Sequence, residues 1–229
     1  MKTKFYYDGI EISKYKSYPN IEGFTTNTSF VLQGKDIEYT EFIKNYLVEV
    51  KGKPCSFQVL SDDDKEIIKQ TKIISSLGEN VYVKIPIIKR DGSSNDKLIS
   101  TLLNENIKIN ITVIHTIPQI DLAVNSLNHE TPTIISVFAG GITDAGVDPV
   151  NIIKYAILKT YEYANAEILW AGCQTNLHIN QAIDCGCHII TIPGSILDKM
   201  NRMKLNLEET SIVKVNKFLD DGAKIKNTF

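Results

Sequence analysis

The segment Val81-Tyr82-Val83-Lys84-Ile85-Pro86 is a short apolar run with a lysine in its middle, and it follows the turn signal Gly78-Glu79-Asn80. Such a run predicts a buried strand. A buried ammonium is costly unless it is paired or neutral, but a desolvated lysine becomes a free amine that can attack a carbonyl carbon. Alternatively, Lys84 lies on an exposed strand face, because lysine is almost never fully buried. The rest of the chain decides between these interpretations.

The composition is that of an ordinary globular protein. The chain has 229 residues, 43% hydrophobic and 23% charged, and its formal net charge is −2. This balance disfavours nucleic acid or a membrane as a partner. No segment approaches the ~18 continuous apolar residues of a membrane-spanning helix, and Met1-Lys2-Thr3-Lys4 leads into a strand, not a signal peptide. With four cysteines read as reduced thiols, we expect a cytoplasmic protein without a metal site.

Strand-like runs and stretches of helical periodicity alternate along the chain. The runs cover residues 4–8, 21–25, 56–61, 81–86, 108–114, 133–138, 167–171 and 187–192. Helical periodicity covers 41–50, 64–77, 95–105, 119–127, 151–164 and 176–184, and further helices are expected at 195–202 and 206–220. This alternation predicts a parallel sheet, and no Gly-x-Gly-x-x-Gly turn follows the first strand. We therefore predict an α/β fold in which residues 1–229 form one (β/α)8 TIM barrel domain with an extra C-terminal helix at about 206–220.

Polar residues lie where a barrel of this kind places its active site, at the C-terminal ends of the strands. They are Asp8, Thr25, Thr26, Asn27, Gln58, Lys84, Asn110, Thr112, Ser136 and Gln174. Residues two apart share a strand face, so Asn110 and Thr112 should lie opposite Ile109, Ile111 and Val113. Polar groups inside a packed barrel must form hydrogen bonds with one another or with a ligand. This grouping favours a buried, functional Lys84.

Five motifs, in order and in register, resemble those of the transaldolase family. They are Phe5-Tyr6-Tyr7-Asp8, Gly23-Phe24-Thr25-Thr26-Asn27-Thr28-Ser29, Val83-Lys84-Ile85-Pro86, Asn110-Ile111-Thr112 and Ser136-Val137-Phe138-Ala139-Gly140. The second is similar to the family's Gly-Val-Thr-Thr-Asn-Pro-Ser, and the third to its Schiff-base strand. The chain length resembles that of the small subgroup that includes the fructose-6-phosphate aldolases. The resemblance spans roughly residues 4–220.

The resemblance implies a catalytic role for three of these residues. Lys84 would form a Schiff base with a ketose donor, and Asp8 would bind donor hydroxyls and assist proton transfer at the aldol carbon. Thr112 would orient a water that relays protons to and from the carbinolamine. These roles suit the chemistry, because an iminium ion is an electron sink and cleavage of the carbon–carbon bond needs a base and then an acid.

The resemblance also implies a set of substrate-binding residues: Thr26, Asn27, Asn110, Ser136, Phe138 and Gln174. Asn27 and Asn110 would hold donor hydroxyls, Thr26 would line the site, and Ser136 would contact the donor end. For Asp8 and Asn27 a structural role, as strand-end caps or Asx-turn residues, is the alternative.

Two departures concern phosphate. The position of the family's phosphate-binding arginine is Gly141 here. The family's Ala-Ala-Ser-x-Arg at the seventh strand aligns with Trp170-Ala171-Gly172-Cys173-Gln174, so Gly172 replaces the serine and Gln174 replaces a second arginine. Charge-assisted contacts are each worth about 1.5–3 kcal/mol, so their loss puts a phosphorylated acceptor in doubt. Lys89 or Arg90 could supply another cation, although a surface position is the simpler expectation for both.

A third departure concerns proton relay. The third strand carries Gln58 where true transaldolases have glutamate, and Phe138 stands where the fructose-6-phosphate aldolases have tyrosine. Neither residue titrates, and general acid–base catalysis is worth roughly 10²–10⁴-fold. His115, three residues after Thr112, is a candidate replacement, with a packing or rim position as the alternative.

The sequence thus predicts a transaldolase-like class I aldolase or transferase that acts on a ketose donor of dihydroxyacetone type, with catalytic residues Lys84, Asp8, Thr112 and Gln58. We expect an altered, non-phosphorylated acceptor, a sugar or sugar precursor, and no cofactor or metal. The resemblance also implies a homo-oligomer. The alternative is a catalytically impaired barrel that binds a sugar or a protein partner.

Overall fold

Eight parallel strands close into a barrel in chain order, and β1 pairs with β8. The computed structural model describes residues 2–15, 18, 20–32, 38–200, 203 and 206–226. The strands are β1 Lys4–Asp8, β2 Ile21–Thr25, β3 Cys55–Gln58, β4 Val81–Pro86, β5 Ile109–Ile114, β6 Thr133–Val137, β7 Ala166–Trp170 and β8 Ile189–Pro193. The predicted (β/α)8 barrel is confirmed. Predicted strand boundaries differ from these by up to three residues.

Helices follow the strands around the barrel. They are α1 Ile12–Tyr15, α2 Thr28–Val31, α3 Tyr39–Val50, α4 Asp64–Ser75, α5 Asp96–Asn104, α6 Ile117–Asn125, α7 Ala139–Asp144, α8 Val150–Lys159, α9 Asn176–Asp184, α10 Gly194–Leu197 and α11 Leu207–Gly222. The short helices α2 and α7 were not predicted, because one turn carries too little periodicity to be recognised. The helix expected at 195–202 begins one residue earlier and ends at Leu197; residues 201 and 202 lie outside the described part of the chain.

Two apolar layers hold the barrel together. The larger layer lies between the strands and the helices and contains outward-facing residues such as Val83, Ile85 and Ile111. The smaller layer fills the barrel interior and consists of Tyr6, Ile134, Leu169, Ala171 and Ile189, with Tyr82 and Phe138 packed against it. Gly23 makes room for the Tyr6 ring, since a Cβ on Gly23 would lie 2.4 Å from Tyr6 Cζ. This apolar filling leaves the polar residues at the C-terminal end of the barrel.

β5 contains a bulge. Ile111 pairs with Ile135 and Ile114 with Val137, so two residues of β5 lie opposite one residue of β6. Val113 has a φ of 64°, which is rare for a β-branched residue. The alternation predicted for this strand is therefore wrong at Val113, because its side chain lines the internal cavity instead of sharing the outward face of Ile109 and Ile111.

The C-terminal helix α11 begins with a capping box formed by Asn206 and Glu209. Every residue of α11 is exposed. Ile212, Val215 and Leu219 are three and four residues apart and form an apolar stripe along the helix. The predicted helix at about 206–220 is present, and its apolar stripe is left unpaired.

Candidate active site

The C-terminal mouth of the barrel opens into a cavity of about 390 Å³. Residues from all eight strands or the segments that follow them line it: Asp8, Thr25, Asn27, Ser29, Phe30, Gln58, Lys84, Val113, Ser136, Phe138, Leu169, Ala171, Gly172 and Thr191. Six of the ten residues predicted for the site are in this lining. The other four, Thr26, Asn110, Thr112 and Gln174, lie outside it.

Lys84 reaches the cavity from the middle of β4. It is only 6% exposed, which excludes the alternative of a lysine on a solvated strand face. Its Nζ donates a hydrogen bond to the Thr26 carbonyl oxygen at 2.9 Å. Burial lowers the pKa of the Lys84 ammonium, and the nearby Asp8 carboxylate opposes that shift only in part. The amine is therefore biased toward its free, nucleophilic form.

Asp8 ends β1 beside Lys84. Its Oδ1 accepts a hydrogen bond from the Thr25 hydroxyl at 2.7 Å, and Thr25 Oγ1 lies 2.5 Å from Thr191 Oγ1. Burial raises the pKa of the Asp8 carboxyl, although Lys84 and the Thr25 hydroxyl act in the opposite direction. The two shifts agree: together they favour a proton on Asp8 and a neutral amine on Lys84. Asp8 thus has the properties of an acid–base group.

Asn110 of β5 links Ser56 of β3 with Ser136 of β6 beside the cavity. Its Nδ2 donates to Ser56 Oγ at 3.0 Å, and its Oδ1 accepts from the Ser136 hydroxyl at 2.7 Å. Strand register places Gln58, Lys84 and Asn110 side by side on β3, β4 and β5. The Asn110 amide is fully buried, so in this geometry it orients Ser136, which does line the cavity.

Two threonines are buried beside the cavity. Thr26 contributes its carbonyl to Lys84, while its hydroxyl donates to the Ser56 carbonyl oxygen at 3.1 Å. Thr112 is fully buried, and its hydroxyl has no hydrogen-bond partner among the described residues. Buried hydroxyls are normally paired. The free Thr112 hydroxyl therefore has a hydrogen-bonding position available to an ordered water.

Asn27 has two functions in the structure. Its Oδ1 caps α2 by accepting from the Phe30 backbone N–H at 3.0 Å, which is the structural role considered for it. The residue also lines the cavity, together with Ser29 and Phe30 of the short helix. Because the cap occupies Oδ1, the Nδ2 group remains free to donate to a ligand hydroxyl.

Gln58 and Phe138 both line the cavity, as their strand positions predicted. The Gln58 carbonyl oxygen accepts from the Tyr39 hydroxyl at 2.9 Å, which fixes the end of β3. Neither side chain can transfer a proton as an acid or base. Among the cavity-lining residues described, Asp8 and Lys84 are the two that titrate.

The positions associated with phosphate carry no cation into the cavity. Gln174 is exposed and its Nε2 donates to Asp144 Oδ2 at 2.9 Å. Lys89 is paired with Asp64 at 2.5 Å, on the first turn of α4. Within the described residues, Lys84 is the single cation of the lining. This pairing agrees with the expectation that Lys89 lies at the protein surface and not in the cavity.

Several lining residues were not predicted as site residues, namely Thr25, Ser29, Phe30, Val113, Leu169, Ala171, Gly172 and Thr191. For Thr191 a signal was present, because it is the polar residue of the apolar strand β8 and has the same parity as Ile189, an interior residue. Val113 could not have been found, since its orientation depends on the bulge.

The four cysteines are free, and three of them are buried. Within the described ranges no group of three or more His, Cys, Asp or Glu side chains is placed to hold a metal ion. The same part of the chain contains no helix with the length and apolarity needed to cross a membrane.

Comparisons with known proteins identify the family of this chain. Residues 5–228 match the family model described as Transaldolase/Fructose-6-phosphate aldolase. The "Probable transaldolase" of Methanococcus vannielii is 30% identical over 223 residues, which covers 95% of this chain and 96% of the relative. The "Probable transaldolase 2" of Listeria monocytogenes is 32% identical over 203 residues and covers 86% and 88%.

A solved structure shares the fold. The crystal structure of 3-hexulose-6-phosphate synthase from Salmonella typhimurium superposes with a TM-score of 0.58 at 13% sequence identity, over 86% of this chain and 91% of that one. At this identity the likeness concerns the barrel fold alone.

The shifted pKa of Lys84 makes protein stability depend on pH. We compare the variant Asp8→Asn with the double variant Asp8→Asn/Lys84→Met. Because position 8 is asparagine in both, the loss of Lys84 cannot change the ionisation of a carboxyl group at that position. Below pH 10.5 the unfolded chain binds a proton that the folded Lys84, with its lowered pKa, does not. The lysine-containing variant should therefore lose up to about 1.4 kcal/mol per pH unit relative to the methionine variant, from pH 10.5 down to the folded pKa.

This loss is measured as the difference in unfolding free energy, from urea titrations across that pH range. Two parallel stability curves would show that Lys84 is an ordinary, unshifted ammonium.

Proposed function

The chain belongs to the transaldolase/fructose-6-phosphate aldolase family, and on that premise we propose that it is a class I aldolase or transaldolase whose Schiff-base residue is Lys84. The donor is a ketose of dihydroxyacetone type. The observation that carries the proposal is a buried amine with a lowered pKa at the wall of a cavity lined by hydroxyl, amide and carboxyl groups.

Formation of the Schiff base uses both titrating groups. The free amine of Lys84 adds to the ketose carbonyl carbon, and the oxygen leaves as water. The iminium ion carries one positive charge, and the proton that makes it an iminium comes from Asp8, which becomes a carboxylate. The net charge of the pair stays zero, because the iminium cation and the Asp8 carboxylate form together and each offsets the other's charge in the cavity.

Cleavage of the carbon–carbon bond then follows. The Asp8 carboxylate takes the proton from the hydroxyl on the carbon that becomes an aldehyde, the bond between that carbon and its neighbour breaks, and the electron pair moves into the iminium to form an enamine. In transfer, the enamine attacks the carbonyl carbon of an acceptor aldehyde, whose oxygen takes the proton from Asp8. In simple cleavage, Asp8 instead gives its proton to the enamine carbon. In both cases water then hydrolyses the resulting iminium, its released proton returns to the Asp8 carboxylate, and the Lys84 amine is restored.

The family departures at Gln58 and Phe138 leave Asp8 as the principal proton carrier. A water held by the free Thr112 hydroxyl would complete the relay to the carbinolamine. Asn27 Nδ2 and the Ser136 hydroxyl, oriented by Asn110, would bind donor hydroxyls. Because glutamine cannot titrate, Gln58 would act as a hydrogen-bond partner of that water and not as its base.

The acceptor is proposed to lack phosphate. Phosphate recognition depends on charge-assisted contacts with fixed cations. In the described part of the lining, the single cation is Lys84, which is already assigned to the covalent step. An uncharged aldehyde is compatible with this lining.

A homo-oligomer is also proposed, since the family often packs such C-terminal helices across subunits. The helix α11 presents Ile212, Val215 and Leu219 to solvent, with exposures of 55%, 55% and 66%. An apolar stripe of this kind on a surface helix is typical of a contact with another chain.

Covalent trapping tests the Schiff base. Incubation with dihydroxyacetone and borohydride should leave a reduced adduct on the peptide that contains Lys84, detected by mass spectrometry. Lys84→Met should give no adduct, while Lys89→Met, which removes a surface lysine of the segment after the same strand, should give as much as the parent. No adduct on Lys84 across a panel of ketoses would overturn the proposal and favour the non-catalytic, sugar- or protein-binding barrel.

Acceptor preference is measured with a matched pair. With a fixed ketose donor, kcat/KM for glyceraldehyde should equal or exceed kcat/KM for glyceraldehyde 3-phosphate, because among the described lining residues no cation besides Lys84 is present to bind the phosphate. Arginine contacts worth about 1.5–3 kcal/mol each would instead favour the phosphorylated aldehyde by roughly tenfold or more. A preference of that size would refute the altered acceptor.

Sedimentation or light scattering tests the assembly. The parent should be an oligomer, and Ile212→Lys/Leu219→Lys should dissociate it because charges on the stripe cannot be buried unpaired. Thr210→Lys, on the opposite side of the same helix from the stripe, provides the control and should remain assembled. A monomeric parent, or a lysine double variant that stays assembled, would contradict a role for α11.

A further inference from the structure

The imidazole of His115 lies directly after β5, beside residues of the cavity wall. Its ring centroid is 5.4 Å from that of Phe138, and its Nδ1 is 3.2 Å from the Val113 carbonyl oxygen. Both Phe138 and Val113 line the cavity. From this placement we propose that His115 determines acceptor specificity by accepting a hydrogen bond from a hydroxyl group of an uncharged hydroxyaldehyde, an inference that rests on the aldolase function proposed above.

The hydrogen bond to Val113 fixes which nitrogen is free. A carbonyl oxygen can only accept, so the proton of the neutral ring is on Nδ1 and Nε2 carries a lone pair. No described residue provides a hydrogen-bond partner for Nε2. The unusual φ of Val113, 64°, sets the direction of the carbonyl that holds the ring. The His115 backbone N–H is in turn held by Gln119 Oε1 at 2.8 Å.

Gly141 provides the space for this ring. A Cβ at position 141 would lie 2.6 Å from His115 Nε2, closer than real contacts allow. Gly141 lies inside α7 and is not among the residues with positive φ, so the backbone there does not itself require glycine. The absence of a side chain at 141 is therefore explained by the imidazole, and the same contact prevents any cation from extending from this position while His115 is present.

The chemistry of the wall selects the ligand class. The lining residues in contact with His115 are Phe138 and Val113, which offer apolar surface. A lone pair on Nε2 attracts a hydroxyl donor, whereas it repels the oxygens of a phosphate or carboxylate. An aldehyde with a hydroxyl group beyond its carbonyl would contact this apolar surface and donate a hydrogen bond to the imidazole beside it.

Glyceraldehyde and propanal, which lacks both hydroxyl groups, separate this role from simple packing. His115→Phe keeps an aromatic ring and His115→Ala removes it; each should raise KM for glyceraldehyde by about three- to tenfold, the effect of one neutral hydrogen bond. The kcat for glyceraldehyde and the KM for propanal should stay within twofold of the parent. Equal changes for the two aldehydes, or no change for either, would overturn the inference.

A double-mutant cycle with Gly141→Ala tests the same contact without removing the imidazole. The added methyl group displaces Nε2, so Gly141→Ala should reproduce the glyceraldehyde-specific increase in KM. In a His115→Ala background the same methyl group meets no imidazole and should have no effect. Independent, additive effects would contradict the coupling of the two positions.

Borohydride trapping with dihydroxyacetone, run on each variant, separates this inference from the proposed function. Lys84 should be labelled equally in the parent and in the His115 variants, since donor binding does not involve His115. Labelling of the parent together with unaltered aldehyde selectivity in the variants would refute only the role of His115. A parent that is not labelled would refute the aldolase function and this inference together.

Discussion

The shared burial of Lys84 and Asp8 is the constraint on which the site depends. An isolated charge on either residue would be costly in this environment, and the structure offers each of them mainly the other. Transfer of one proton from Lys84 to Asp8 removes both charges at once. The state that burial favours, a free amine beside a carboxylic acid, is also the state that the proposed attack of Lys84 on a carbonyl carbon would require.

The barrel holds this pair in place through strand register. Gln58, Lys84 and Asn110 lie side by side on three adjacent strands, so a slip of one residue in β4 would turn Lys84 into the outer apolar layer. Below them Tyr6, Ile134, Leu169 and Ile189 fill the interior. This filling excludes water from beneath the lysine and keeps its amine desolvated. The packing of the barrel and the reactivity of Lys84 therefore have a common origin.

The sequence was sufficient to predict the barrel and to place Lys84, Ser136 and Phe138 in one cavity, because alternation along each strand puts them on the inner surface. It failed where local backbone geometry breaks the alternation. Val113 turns inward only because two residues of β5 face one of β6. Asn27 shows another limit, since its identity is compatible with a helix cap and with a ligand contact, and in the structure it caps α2 while lining the cavity.

The acceptor side shows why departures from a family pattern have to be interpreted together. Gly141 and His115 are 26 positions apart in the sequence. Considered alone, Gly141 indicates the loss of a phosphate-binding arginine, and His115 indicates no more than a packing or rim residue. In the structure a Cβ on Gly141 would collide with the His115 ring, so the two residues are one feature. Restoring a side chain at 141 would first require removing the histidine. The absent cation is thus the consequence of a different polar group built into the same place, which favours an altered acceptor over a decayed site.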